Sequence, residues 1–181
     1  MLKLVYNKPS KGVTCMIKTI NYALGSRSYF NDAITANPDR RLVIAENLTT
    51  EDNYILIDLS DKTSIFGSSI QLETLYNVGN DLFDHFLFLQ AFDLDNEKRA
   101  MLKKVGPKVL DDTIKNFDGK MEGGYFSTRM DHPQTLVMLT LWKTKEDLDQ
   151  WLSSSTYHQL DDYINQQLRN FTEVFKVVED E

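Results

Sequence analysis

The chain has 181 residues and a formal charge of −7; with a pI near 5.0 it lacks the basic balance that a phosphate-backbone partner demands, so nucleic acid is not an expected ligand. Its 41% hydrophobic and 26% charged residues describe an ordinary globular protein, long enough for one good core or two small fused ones. No apolar run reaches the length of a membrane span, Lys3, Lys8, Lys11 and Lys18 interrupt the stretch where a leader would need its apolar centre, and the lone Cys15 has no internal disulfide partner, so the expected location is the cytoplasm.

In chain order, Leu2–Tyr6, Arg41–Ala45 and Tyr54–Leu59 read as strands, with Ser60 and Asp61 as a turn into a returning strand at Lys62–Phe66. The polar segment Gly25–Arg40 reads as a long connection. Ile70, Leu72, Leu75 and Val78 suggest a short helix stopped by Gly79. The seam expected around Gly79–Asp84 divides the chain into a small α+β N-terminal domain, residues 1–80, and a second domain, residues 81–181.

The second part reads β-α-β-β-α-α-β: strand Phe86–Phe92, helix Asn96–Asn116, strands Gly124–Met130 and Thr135–Trp142, helices Lys145–Leu152 and Thr156–Leu168, and strand Phe171–Val178. That order is the ferredoxin-like α+β sandwich. Gly106-Pro107 falls inside the first of these helices; proline has no N–H and clashes with the carbonyl four residues back, so a kink or two abutting helices is expected there. The strand Phe86–Phe92 is apolar on both faces, and helices cover only one. The other face needs a second layer, from a partner copy in a homodimer or from the N-terminal part in an intrachain pseudo-dimer.

Candidate chemistry is sparse. Asp93, Asp95 and Glu97 lack the glycine and glutamate spacing of a calcium loop and read as a strand exit with a helix cap. His158 with Asp161 and Asp162 has helical metal-ligand spacing, but a solvated charged face is the better reading. His132-Pro133 is a turn and His85 opens a strand. No nucleophile elbow, P-loop or dinucleotide fingerprint occurs, so hydrolase, NTPase and dinucleotide readings have no support.

The most informative stretch is Gln134–Leu160, where an apolar strand runs into a helix opened by the Thr144-x-x-Asp147 signal, carrying Trp151 near its end, followed by a Ser/Thr run and a segment with His158. This stretch resembles the C-terminal half of the antibiotic-biosynthesis-monooxygenase superfamily, and within it the bacterial heme-degrading monooxygenases. Asn53–Asp58, Phe66 and Leu75–Gly79 extend the likeness to the N-terminal part of two-domain members and of the staphylococcal stress protein TRAP. The resemblance implies a ferredoxin-like dimeric α/β-barrel domain. It also implies a site built from an amide on the first domain strand, a tryptophan, and a histidine ten residues after it as axial iron ligand. Trp151 matches; Gln90 stands where the asparagine would, with a reach longer by about 1 Å; and Asp161 stands at the histidine position. His158, one helical turn earlier and about 4.5 Å away along the axis, is the remaining candidate for the iron.

The expectation is therefore a heme-binding, heme-degrading monooxygenase-like protein using heme as cofactor and substrate with O₂ and a reductant. Gln90 and Trp151 would be catalytic, Phe88, Phe92 and His158 would contact the heme, and His158 would ligate the metal. One alternative is a non-catalytic relative that binds heme or another flat apolar ligand, or serves as a stress-related interaction module. A third is cofactor-independent oxidation of an aromatic.

Overall fold

The computed structural model describes residues 17–164 and 171–178. Eight strands, β1 (Thr19–Gly25), β2 (Leu42–Asn47), β3 (Tyr54–Asp58), β4 (Ile70–Gly79), β5 (Phe86–Asp93), β6 (Met121–Arg129), β7 (Thr135–Trp142) and β8 (Thr172–Val177), close into one barrel. Round the barrel they run β1-β3-β2-β8-β5-β7-β6-β4, and β4 returns to β1. Every pairing is antiparallel. Closure removes the free sheet edges that an open sheet would have to protect.

Alternation along the strands sorts side chains into two layers. Inward go Ile20, Tyr22, Ile55, Ile57, Leu72, Leu87, Leu89, Tyr125, Leu139 and Phe175, which fill the barrel. Outward on β5, β6 and β7 go Phe88, Phe92, Phe126, Met138 and Trp142. These are covered by α2 (Asn96–Asn116), α3 (Lys145–Leu152), α4 (Ser155–His158) and a 3-10 turn at Asp161–Tyr163. On the opposite side α1 (Arg27–Ala36) lays Phe30 over Ile44 and Leu56. The second layer facing β5 thus comes from β1–β4 of the same chain, and the expected seam at Gly79–Asp84 is the connection between β4 and β5, with strands on both sides of it in one barrel.

Several expectations need correction, and one falls outside what is described. The helix expected over Thr156–Leu168 is the short α4 followed by the 3-10 turn at Asp161–Tyr163, and residues 165–168 lie outside the described ones. The returning strand expected at Lys62–Phe66 is a loop, and the helix expected at Ile70–Gly79 is β4. A bulge between Thr74 and Tyr76 shifts the alternation by one. Leu75 is left 42% exposed, while Leu72 before the bulge faces the barrel and Tyr76 and Val78 after it face α2. Apolar residues at 70, 72, 75 and 78 therefore imitate a helical spacing. Gly79 is not a helix stop: it has φ +74°, and a side chain there would collide with the Glu122 carbonyl. The connection expected at Gly25–Arg40 contains α1, whose polar composition hides a helix held by the single buried Phe30. Leu2–Tyr6 lies outside the described residues.

α2 spans the expected residues as one helix with Pro107 inside it, so of the two arrangements expected there, a kink or two abutting helices, the second does not form. The missing N–H at 107 removes the helical donor to the carbonyl of Lys103, an exposed residue. Gly106 has a separate reason: a Cβ there would lie 2.6 Å from Cε2 of Phe126, so glycine lets the helix settle directly on that ring. Asp95 caps the helix, accepting from the Lys98 N–H at 2.8 Å. Among the described residues no helix is long and apolar enough to cross a membrane.

Candidate functional site

The outer face of β5 carries Phe88, Gln90 and Phe92 in alternation, all at 1% exposure or less. Gln90 sits opposite Met138 on β7 and Thr172 on β8, so its amide enters an apolar layer beneath the helices. Trp151 descends onto the same layer from α3. That helix is set by Thr144, whose hydroxyl accepts from the Asp147 N–H at 3.1 Å and donates to its carboxylate at 2.7 Å.

The fully buried indole is fixed from several directions. Its Nε1 donates to Thr113 Oγ1 at 2.9 Å, and Thr113 in turn donates to the Val109 carbonyl at 2.6 Å. Its ring lies 4.8 Å from Tyr157, 5.3 Å from Trp142 and 5.7 Å from Phe88, within the range of favourable aromatic pairing. Trp142 satisfies its own N–H on Thr140 Oγ1 at 2.8 Å. Tyr157, half-buried on α4, closes the layer and donates its hydroxyl to Gln90 Oε1 at 3.3 Å. Burial pushes the Tyr157 phenol up; the bond to Gln90 opposes this and the Asp161 charge reinforces it.

His158 follows Tyr157 but points elsewhere. Its Nδ1 lies 3.0 Å from Asp161 Oδ2, and the two side chains are 55% and 57% exposed. Of the expected site residues, Gln90, Phe88, Phe92 and Trp151 are thus brought together, and His158 stands outside them at the surface. Tyr157 and Thr113 belong to the cluster and were not singled out from the sequence. Thr113 had a signal, as a polar residue in line with the buried Leu102, Gly106 and Val109 of α2. Tyr157 had none, because α4 has four residues and no periodicity to say which side faces in. Among the described residues no group of three or more His, Cys, Asp or Glu could hold a metal.

No family model matches the sequence. Similarity appears between structures. A Listeria monocytogenes ferredoxin-fold protein related to antibiotic biosynthesis monooxygenases is 10% identical and superposes with a TM-score of 0.76 over 91% of this chain and 96% of its own. The fold is that of the monooxygenase-like barrels. A major regulator of staphylococcal pathogenesis has the same barrel at 14% identity, with a TM-score of 0.73 over 89% of this chain and 99% of its own. So does the heme-degrading enzyme LmHde of Listeria monocytogenes, at 10% identity, with a TM-score of 0.69 over 88% of this chain and 99% of its own.

The residues of this barrel do not fit a heme. The wall of Phe88, Gln90, Phe92 and Trp151 has no accessible face to receive a porphyrin. The Gln90 carbonyl is already engaged by Tyr157. The imidazole of His158 is paired with a carboxylate at the surface. The buried polar atoms without a partner among the described residues, Asn21 Oδ1, Thr74 Oγ1 and Ser127 Oγ, lie outside this cluster. A cavity of about 300 Å³ opens between α2 and the 3-10 turn, lined by Lys98, Met101, Asp162 and Tyr163, and none of the expected heme contacts lines it.

Proposed function

We propose that this chain is a non-catalytic member of the monooxygenase-like barrel proteins, serving as an interaction module rather than degrading heme. The observation that carries this reading is the bond from Tyr157 to Gln90. A phenol from the chain itself fills the place above the amide, and the imidazole that an iron would need is held away by Asp161. Where the carbonyl oxygen of a buried amide would otherwise await a donor from a ligand, it has one within the chain. The site and not the fold decides function, since one fold supports many unrelated activities.

The heme-degrading reading is retained as a second one. Gln90 is the one polar side chain in the wall it forms with Phe88, Phe92 and Trp151, and its cover is a half-buried tyrosine on a short helix. Removing that cover would leave an aromatic wall with one amide.

Heme titration of the purified chain by optical absorption separates the two, repeated with His158→Ala and followed by a reductant under air. The interaction-module reading expects no stoichiometric Soret band and no decay of the porphyrin spectrum. A one-to-one band that disappears in His158→Ala, with porphyrin decay in the unaltered protein, overturns it.

A further inference from the structure

The charge of this chain is not spread evenly. From Glu97 to Lys108, α2 carries Lys98, Arg99, Lys103, Lys104 and Lys108 against the single carboxylate of Glu97, a net +4 within a chain of net −7, so the remaining residues carry −11. Lys98, Met101, Lys104 and Lys108 follow one another at spacings of three, three and four, which places them along one stripe of the helix, and all four are exposed. Lys104 and Lys108 form no salt bridge among the described residues, whereas Lys62, Lys120 and Lys145 elsewhere each pair with a carboxylate. Lys98 donates to the Asp162 carbonyl at 3.0 Å, which leaves its charge unneutralised by that contact.

The stripe borders an apolar opening. Met101 is 51% exposed and forms one wall of the cavity of about 300 Å³ shared with Lys98, Asp162 and Tyr163. Asp162 in that wall disfavours an acid inside the cavity, so the cavity suits an apolar side chain while Lys104 and Lys108, further along the helix, suit carboxylates.

We infer that this face of α2 docks a short acidic peptide segment of a partner protein, which seats one apolar residue beside Met101 and lays its carboxylates along Lys104 and Lys108. The inference deepens the interaction-module reading and rests on it. The length of the partner segment follows from screening. Charges more than about 8 Å apart are largely screened at physiological salt, so a short peptide meets the local +4. An extended polyanion such as a duplex or a lipid surface also meets the −11 carried by the other residues. A second copy of the chain, at net −7, is the competing occupant that the self-association arm of the test separates.

The test uses the full chain and a fluorescein-labelled peptide of glutamates with a central phenylalanine, followed by fluorescence anisotropy. Lys104→Glu with Lys108→Glu should weaken binding roughly tenfold or more, and Met101→Ser should weaken it several-fold. Binding should fade from about 50 mM to about 500 mM salt. Lys143→Glu, an exposed lysine on the β7–α3 connection, makes the same change in net charge as Lys104→Glu and should leave the affinity nearly unchanged. Circular dichroism checks that each variant is folded.

Equal losses in Lys104→Glu and Lys143→Glu, or no binding by the unaltered chain, overturn the inference. So does retention of duplex DNA or phosphatidylglycerol vesicles as tightly as the peptide, or a self-association in size-exclusion chromatography that depends on Lys104 and Lys108. A chain that binds the peptide and also degrades heme would keep the docking surface and refute the interaction-module reading. A chain that does neither would do the reverse.

Discussion

Gly106→Ala should destabilise the protein even though it replaces glycine with the best helix former. In an exposed helix interior the exchange would gain about 1 kcal/mol. Here the new methyl would stand 2.6, 2.8 and 2.9 Å from Cε2, Cζ and Cδ2 of Phe126. That ring is fully buried in the layer under α2, so it has no solvent-side position to retreat to, and the helix must lift instead. Overpacking of this kind costs about 1–3 kcal/mol. The net effect is a loss of about 1 kcal/mol, with the propensity gain partly offsetting the strain. Urea unfolding followed by tryptophan fluorescence reads it directly, because Trp142 and Trp151 are both fully buried; the midpoint should fall at unchanged slope. Adding Phe126→Leu should recover part of the loss and show positive coupling in a double-mutant cycle. A raised midpoint for Gly106→Ala alone would refute the reasoning, since it would mean that the ring yields and that close approach is not why glycine stands at 106.

Two further outcomes follow from buried polar groups. Thr113→Val keeps the shape but leaves the buried Trp151 N–H without its acceptor, so it should cost about 1–3 kcal/mol, whereas Trp151→Phe leaves Thr113 its bond to the Val109 carbonyl; equal polar losses in the two variants, after correction for ring size in urea titrations, would count against this. Burial pushes the Tyr22 phenol up to about 12, with Arg129 lowering it and Asp131 raising it. The folded state therefore holds that proton more tightly than the unfolded chain, and the associated stability is intact below pH 10 and lost between about 10 and 12. Thermal melts across that window should show a steep decline that Tyr22→Phe makes shallower by on the order of 2 kcal/mol; an unchanged slope in the variant would remove Tyr22 from the explanation.

The second half of the barrel was legible because its patterns are local and strong. Leu136 to Trp142 is apolar but for Thr140 and is buried on both sides, as β7 requires, and α2 begins at its Asp95 cap where the sequence places it. The first half was less legible because its signals depend on partners distant in sequence. Nothing in Ile70–Gly79 announces the bulge opposite β6 that rephases it, and α1 is decided by one phenylalanine whose seat is made by β2 and β3. The aromatic wall followed from alternation on β5, since Phe88, Gln90 and Phe92 share a face whatever covers it. What covers it did not follow, because orientation of a four-residue helix is set by its caps and neighbours. Ser154 accepts from the Tyr157 N–H at 3.3 Å and donates to the Trp151 carbonyl at 2.6 Å, which turns Tyr157 toward Gln90.

The two ends of α4 explain each other. Tyr157 and His158 are adjacent, so on a helix they point about 100° apart, and only one of them faces the layer under α2 and α3. Tyr157 takes the inward position because it completes an aromatic contact with Trp151 at 4.8 Å and donates to the carbonyl oxygen of the buried Gln90 amide. His158 is thereby directed outward, where its Nδ1 lies 3.0 Å from Asp161 Oδ2 in water. An imidazole turned inward would displace the phenol, break the Gln90 bond and leave the Asp161 carboxylate unpaired. Asp161 at the position where the resemblance expects the ligand is therefore one part of an arrangement that includes Tyr157, and restoring an imidazole at 161 alone would leave the phenol still filling the space above Gln90.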